Sequence, residues 1–212
     1  MLTLIRREIR DNIVYFIAAV VFSAILIALL MATTYNLDFG MPAVYIGLSI
    51  PMLVILVLGF SAMGVTQMYM DRNRRISAFL SALPVTRSRI LTARIVAGLL
   101  AILIVLVPVT IAAIVLSRLN LLIAPPIPIF TGYIADIPTT VFLMVFACYC
   151  LGLLTGWTAN KITPTFGALG LNLVLVSLVF VKGFGPDIKF LLVLVIVACL
   201  IRTWHKFMST SL

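Results

Sequence analysis

The chain is 212 residues long, with 64% hydrophobic residues, 10% charged residues and a formal net charge of +9. An ordinary soluble domain is only about half apolar, so this composition excludes a soluble globular protein and indicates an integral membrane protein. The positive charge does not indicate a nucleic-acid partner, because the basic residues lie in segments beside long apolar stretches, where membrane topology accounts for them.

The first residues, 1–12, carry an amphipathic helical pattern. Apolar residues recur at intervals of three and four, and basic residues occupy the other side: Leu2, Ile5, Ile9 and Ile13 against Arg6, Arg7 and Arg10. This pattern predicts a helix that lies along the cytoplasmic leaflet, with its arginines near anionic headgroups. The alternative is the basic flank of an ordinary signal anchor.

Six apolar stretches are candidates for membrane-spanning helices, which need about 20 residues each. They are Ile13–Ala32, Val44–Met68, Ile95–Ser117, Ile137–Trp157, Pro164–Val181 and Phe190–Ile201. The last is the shortest, and twelve residues of helix cover only about 18 Å. It is either a re-entrant or interfacial segment or, if extended over residues 188–204, a sixth span. We predict an all-α, polytopic integral membrane protein with six spans in a single transmembrane domain, 1–212.

Basic residues are distributed unequally between the segments that connect these stretches. If both termini are inside, 12 of the 15 lysines and arginines are cytoplasmic, and the outer segments hold only Arg118, Lys182 and Lys189. Cytoplasmic loops of membrane proteins are enriched in lysine and arginine, so both termini are expected to be cytoplasmic.

Chemistry-bearing residues are sparse in the predicted spans. No Asp, Glu, Lys or Arg lies in the middle of any of them, which disfavours an ion-coupled carrier. There is also no carboxylate pair, no nucleophile beside a base and no metal-ligand spacing, and the single histidine, His205, stands alone. We therefore predict no catalytic and no metal-binding residues, and we do not expect an enzyme.

Small residues in the fourth and fifth predicted spans indicate close helix packing. Gly152 and Gly156 form a G-x-x-x-G pair, and Gly167 and Gly170 give the fifth span a flat face. Such surfaces let helix backbones approach one another, and Asn172 is available for a hydrogen bond between helices.

Prolines mark two other features. Pro51 and Pro108 lie inside the second and third predicted spans, where a kink is compatible either with gating or with static packing. The outer connection Arg118–Asp136 contains Pro125, Pro126 and Pro128 and is predicted to be non-helical.

A basic insert, Tyr69–Arg94, separates the second and third predicted spans. Each of its six arginines would cost about 2.5 to 3.5 kcal/mol at the centre of a bilayer, so we expect the insert to face water. Four of its apolar residues share one face of a short helix: Ile76, Phe79, Leu80 and Leu83. Pro84 ends that helix, and Thr86 can cap a second helix that continues through Arg94 into the third span. The insert is thus suited to bind a cytosolic partner and tilt two spans.

Residues 79–94 read FLSALPVTRSRILTAR, which resembles the Leu-Pro-Val-Ser/Thr-Arg segment of permeases in the type-2 ABC exporter family. The layout is similar too, since that family has an amphipathic N-terminal helix, six spans and a coupling helix after span two. The resemblance implies that the insert docks on a separate ATPase subunit. The implied docking residues are Arg74, Arg75, Ile76, Phe79, Leu80, Leu83, Pro84, Val85, Thr86 and Arg87.

The resemblance further implies the assembly in which the chain works. The chain itself would bind no cofactor, and ATP and Mg would be used by the partner ATPase, in keeping with the absence of a phosphate-loop motif from this sequence. Two permease copies, identical or related, would enclose the pathway in a bacterial or archaeal cytoplasmic membrane. The cargo is expected to be hydrophobic or amphipathic, such as a peptide or lipid.

Residues 182–189 are shorter than the re-entrant helices that many members carry between spans five and six, so a reduced outer gate is expected. Two other functions remain open. One is a membrane anchor or assembly subunit that transports nothing and uses the same insert to hold a cytosolic partner. The other is a passive channel, which gives the insert no role.

Overall fold

A computed structural model describes residues 2–35, 42–73, 87–123, 129–156 and 163–209. These ranges contain seven α-helices and no strand. The helices are α1 (Leu2–Asp11), α2 (Ile13–Tyr35), α3 (Pro42–Asn73), α4 (Arg87–Ile123), α5 (Ile129–Gly156), α6 (Thr163–Lys182) and α7 (Pro186–Ser209).

Five of the helices are long and apolar enough to cross a membrane. The candidate spans lie in α2, α3, α4, α5 and α7, at Ile13–Ala32, Pro51–Tyr69, Ser88–Leu116, Asp136–Gly156 and Pro186–Ser209. The all-α, polytopic class of fold is therefore confirmed. The predicted fifth span falls in α6, where the apolar part, Leu169–Lys182, is shorter than the other five.

The shortest stretch in the sequence belongs to a full-length helix. Helix α7 extends beyond the apolar run at both ends, to 24 residues. Proline fits the first turn of a helix and an acidic side chain is favourable there, so Pro186 and Asp187 start the helix before the apolar residues begin. Arg202 and Lys206 continue it past their end.

The outer connection is more helical than predicted. Helix α4 continues to Ile123 and α5 begins at Ile129, so the prediction of a non-helical segment was wrong over residues 118–123 and 129–136. The three clustered prolines, at 125, 126 and 128, fall in residues 124–128, outside the described part of the chain. Apolar residues such as Leu119 and Ile123 favour continuation of α4, because nothing before the prolines breaks a helix.

Helix α5 is the centre of the bundle. It packs against α3, α4, α6 and α7, whereas α2 lies at the side and packs mainly against α4, with smaller contacts to α1 and α3. The fully buried side chains include Met63 of α3, Ile102 of α4, Tyr149 and Leu153 of α5, and Leu192 of α7.

The backbones of α3 and α5 approach each other closely at three glycines. A Cβ atom on Gly152 would lie 2.3 Å from the carbonyl oxygen of Ser61, and one on Gly156 would lie 2.6 Å from the carbonyl oxygen of Val65. On the α3 side, a Cβ atom on Gly64 would lie 2.6 Å from the carbonyl oxygen of Tyr149. Only glycine allows backbones this close, which fixes the register of the two helices.

Candidate functional site

The predicted docking segment, by which we mean residues 74–86, lies outside the described part of the chain. Nine of the ten implied docking residues fall in it, namely Arg74, Arg75, Ile76, Phe79, Leu80, Leu83, Pro84, Val85 and Thr86. The tenth, Arg87, is the first residue of α4. The structure thus describes the two helices that border the segment: α3, which ends at Asn73, and α4.

Helix α4 runs from the docking segment through its apolar span without a break. It is 37 residues long, so the predicted continuation of a helix through Arg94 into the third span is present. Its first turns already belong to the core, because Ile90, Leu91 and Ala93 are buried while Arg89 is exposed. The end of α4 nearest the docking segment is therefore packed against the rest of the protein.

Arg94 corrects the prediction that all six arginines of the insert face water. It is only 3% exposed, and its Nε atom lies 3.3 Å from Oε1 of Glu8 in α1. Its Nη1 atom lies 3.6 Å from the sulfur of Met68 in α3. The carboxylate of Glu8 compensates the buried positive charge, which would otherwise be strongly unfavourable away from water.

Tyr149 extends this polar contact to α5. Its hydroxyl oxygen lies 2.8 Å from Oε1 of Gln67 and 3.0 Å from the carbonyl oxygen of Arg94. The hydroxyl has one proton and faces two acceptors, while Nε2 of Gln67 has no partner among the described residues. With the Gln67 amide in the opposite orientation, Nε2 donates to the hydroxyl oxygen of Tyr149 and that hydroxyl donates to the carbonyl oxygen of Arg94, while Oε1 takes the position without a partner among the described residues.

We call these five residues the inner polar cluster: Glu8, Gln67, Met68, Arg94 and Tyr149. The cluster joins α1, α3, α4 and α5, and it includes both helices that border the docking segment. A buried charge pair and its hydrogen bonds are costly to separate at low local dielectric. The cluster therefore ties the ends of α3 and α4 that border residues 74–86 to α1 and α5.

Sequence reasoning did not find this cluster. Its partners are distant in the chain, with Glu8 and Arg94 separated by 86 positions and Gln67 and Tyr149 by 82. One signal was present: Glu8 is an acidic residue next to Ile9, at the border of the apolar side of a helix whose other charges are mainly arginines. A carboxylate in that position needs a cation from another helix.

The predicted packing residues fall into two groups. Gly152 and Gly156 lie at the close contact with α3, whereas a Cβ on Gly167 or Gly170 would meet no atom of the described residues within 4 Å. Asn172 is fully buried, and its Nδ2 donates to Ser61 Oγ over 2.7 Å.

Ser61 of α3 therefore contacts both neighbours, through its carbonyl at Gly152 of α5 and through its hydroxyl at Asn172 of α6. The amide oxygen of Asn172, Oδ1, has no hydrogen-bond partner in the described ranges. The single hydrogen bond to Ser61 accordingly ties α6 to the α3–α5 contact.

A second ion pair lies at the other end of α5. Lys189 Nζ of α7 donates to Asp136 Oδ1 of α5, and both side chains are partly exposed. Across the described residues, no three His, Cys, Asp or Glu side chains come together as a group that could hold a metal ion.

The long apolar helices and their exposed apolar surfaces define a polytopic α-helical membrane protein. Comparisons with protein-family models, with curated proteins and with solved structures find no match to this chain. The resemblance in residues 79–94 therefore remains a prediction from the sequence.

Proposed function

We propose that the chain is the membrane-spanning permease subunit of an ATP-binding-cassette exporter, driven by a separate cytosolic ATPase. The observation that carries the proposal is helix α4, which runs unbroken for 37 residues from the docking segment into the bilayer. A continuous helix transmits displacement along its axis, and a flexible linker would not. The resemblance of residues 79–94 to a coupling helix gives that displacement a source.

The inner polar cluster supports the same proposal. The side chain of Arg94 pairs with Glu8, and the backbone carbonyl of Arg94 accepts a hydrogen bond from Tyr149. The first turns of α4 therefore move together with α1 and the central helix α5. Closure of the ATPase on nucleotide would push the docking segment and shift the bundle between two arrangements. ATP and Mg belong to the ATPase in this scheme.

The remaining parts of the assembly follow from the same proposal. Two copies of the permease, or this chain and a related one, enclose the pathway in a bacterial or archaeal cytoplasmic membrane. Six spans, with α6 as the fifth, put both termini on the same side of the membrane, and the distribution of lysine and arginine favours the cytoplasmic side. The exposed residues of the helices are largely apolar, which suits a hydrophobic or amphipathic cargo such as a peptide or lipid.

Docking is tested by co-expressing the tagged chain with an ABC-type ATPase from the same genome and purifying the pair in mild detergent. We expect Phe79→Asp and Leu80→Asp each to release the ATPase, because a charge replaces the apolar contact. Ser81→Asp is the matched control, since helical periodicity places residue 81 away from Phe79 and Leu80. Retention of the ATPase by both charged variants would contradict the proposed docking surface.

A transporter is distinguished from a membrane anchor by a labelling experiment that reports a conformational change and does not require the cargo to be known. Thr110 lines an apolar groove between α4 and α5, together with Leu106, Pro138 and Phe142. In the assembled complex, with the native cysteines replaced, labelling of Thr110→Cys by a membrane-impermeant maleimide is expected to change when vanadate traps the ATPase. Val181→Cys, on an exposed position of α6, serves as the control. An anchor predicts equal labelling of both cysteines with and without vanadate.

A further inference from the structure

The two sides of α1 carry opposite charges. Arg6, Arg7 and Arg10 are exposed, whereas Glu8 is turned towards α4, with its side chain 16% exposed. Asp11 neutralises only part of the exposed charge, since it lies 3.7 Å from Arg7 and both side chains are open to solvent. The outer side of α1 is therefore a cationic surface, and its inner side holds the buried carboxylate of the inner polar cluster.

The connection between α1 and α2 determines what that cationic surface meets. Asn12 separates the two helices, and its Nδ2 donates to the carbonyl oxygen of Glu8 over 2.9 Å. The candidate span of α2 begins at Ile13, the next residue. The arginines of α1 are therefore held at the level of the phospholipid headgroups, where guanidinium groups pair well with phosphate.

We infer that α1 binds anionic phospholipid headgroups through Arg6, Arg7 and Arg10, and that Glu8 transmits its position to Arg94 and so to the docking segment. Each arginine lies within one or two residues of Glu8 on the same short helix, so a headgroup that moves the arginines also moves Glu8. The buried contact to Arg94 makes α4 follow. The charge of the membrane surface thereby influences the position of α4, and with it the position in which the docking segment meets the ATPase. Only this last step rests on the proposed function.

The test uses the full chain without an ATPase, reconstituted in phosphatidylcholine vesicles with and without phosphatidylglycerol. Hydrogen exchange is measured on the amides of α1 and on the first turns of α4. In the wild type, anionic lipid is expected to slow exchange in both places by about fivefold. The triple variant Arg6→Gln, Arg7→Gln, Arg10→Gln is expected to show no slowing in either place.

Glu8→Gln separates lipid binding from transmission. In this variant anionic lipid is expected to slow exchange in α1 and to leave α4 unchanged. In a charge-reversed pair, Glu8→Arg with Arg94→Glu, anionic lipid is expected to slow exchange in α4 again. If Glu8→Gln alone does not fold, this pair tests whether the contact between residues 8 and 94 carries the effect.

Three results would overturn the inference. The first is equal hydrogen exchange of α1 in neutral and anionic vesicles for the wild type. The second is slowing of exchange in α4 by anionic lipid in Glu8→Gln as in the wild type, and the third is no such slowing in the charge-reversed pair. Because no ATPase is present, these results are independent of the co-purification test, and either proposal can fail while the other holds.

Discussion

Helices α2 and α5 are both apolar enough to span a membrane, yet they occupy opposite places in the bundle. In an 18-residue apolar stretch of each candidate span, 61% of the residues are buried inside the protein for Asp136–Gly156 in α5, compared with 11% for Ile13–Ala32 in α2. The peripheral helix is the more apolar of the two. In this protein, therefore, the more apolar of these two helices is not the more deeply buried one.

The difference lies in what each helix offers to a neighbour. Helix α5 carries Gly152 and Gly156 at the close contact with α3, and Tyr149 at the inner polar cluster. Helix α2 carries large apolar side chains such as Ile13, Val14 and Ile17, more than half exposed. Lipid tails are as apolar as these side chains, so close packing and polar contacts, rather than hydrophobicity, decide which helix is central.

The largest effect is expected where a charge is buried among the helices. Arg94→Gln removes one partner of the pair with Glu8, and we expect it to lower the free energy of unfolding by about 3 kcal/mol. Unfolding is measured by titration of detergent-solubilised protein with SDS. Arg7→Gln removes the exposed pair with Asp11 and is expected to change stability by less than about 0.5 kcal/mol. Equal losses in the two variants would show that burial of Arg94 contributes nothing.

The α3–α5 contact provides the next test. Gly152→Ala places a Cβ 2.3 Å from the Ser61 carbonyl oxygen, where backbone must move, and a loss of about 2 kcal/mol is expected. Gly170→Ala meets no atom of the described residues and is expected to leave stability unchanged or raise it by about 0.5 kcal/mol, because alanine favours helix. The same SDS titration measures both. A Gly152→Ala variant as stable as the wild type would contradict the close approach.

Truncation of apolar side chains compares the two helices directly. Leu153→Ala in α5 removes a fully buried side chain, and the cavity is expected to lower the free energy of unfolding by about 1 to 2 kcal/mol. Val20→Ala in α2 removes a side chain that is 54% exposed, and we expect a change close to zero, because lipid fills the space. Should Val20→Ala be the more damaging, α2 would have a protein neighbour in solution, such as a second copy of the chain.

The smallest effect is expected at the partly exposed ion pair between Asp136 and Lys189. Lys189→Gln should cost about 0.5 kcal/mol or less, since exposed pairs are solvated and screened. A double-mutant cycle with Asp136→Asn isolates the interaction energy of the pair. A coupling as large as that between Glu8 and Arg94 would remove the contrast between the two ends of α5.

The sequence was sufficient for the class of fold and for most helix positions. Runs of about 20 apolar residues identify spans because backbone groups in a bilayer must be paired within a helix. It was less reliable at the ends of helices, because α4 continues to Ile123 and α7 to Ser209 although charged and polar residues such as Arg118 and Lys206 interrupt the apolar pattern there. Within the docking region, the pattern indicated the helix that begins before Arg94 but placed the Arg94 side chain in water.

The amino-acid sequence by itself determined that this chain is a helical membrane protein with a basic insert between two spans, because local composition controls both insertion and helix formation. Only the tertiary structure decided that α5 is central, that Gly152 rather than Gly170 lies at a close contact, and that Arg94 is paired with Glu8. These features depend on which helices meet and in what register. No local pattern specifies that, because every apolar helix face is equally well accommodated by lipid.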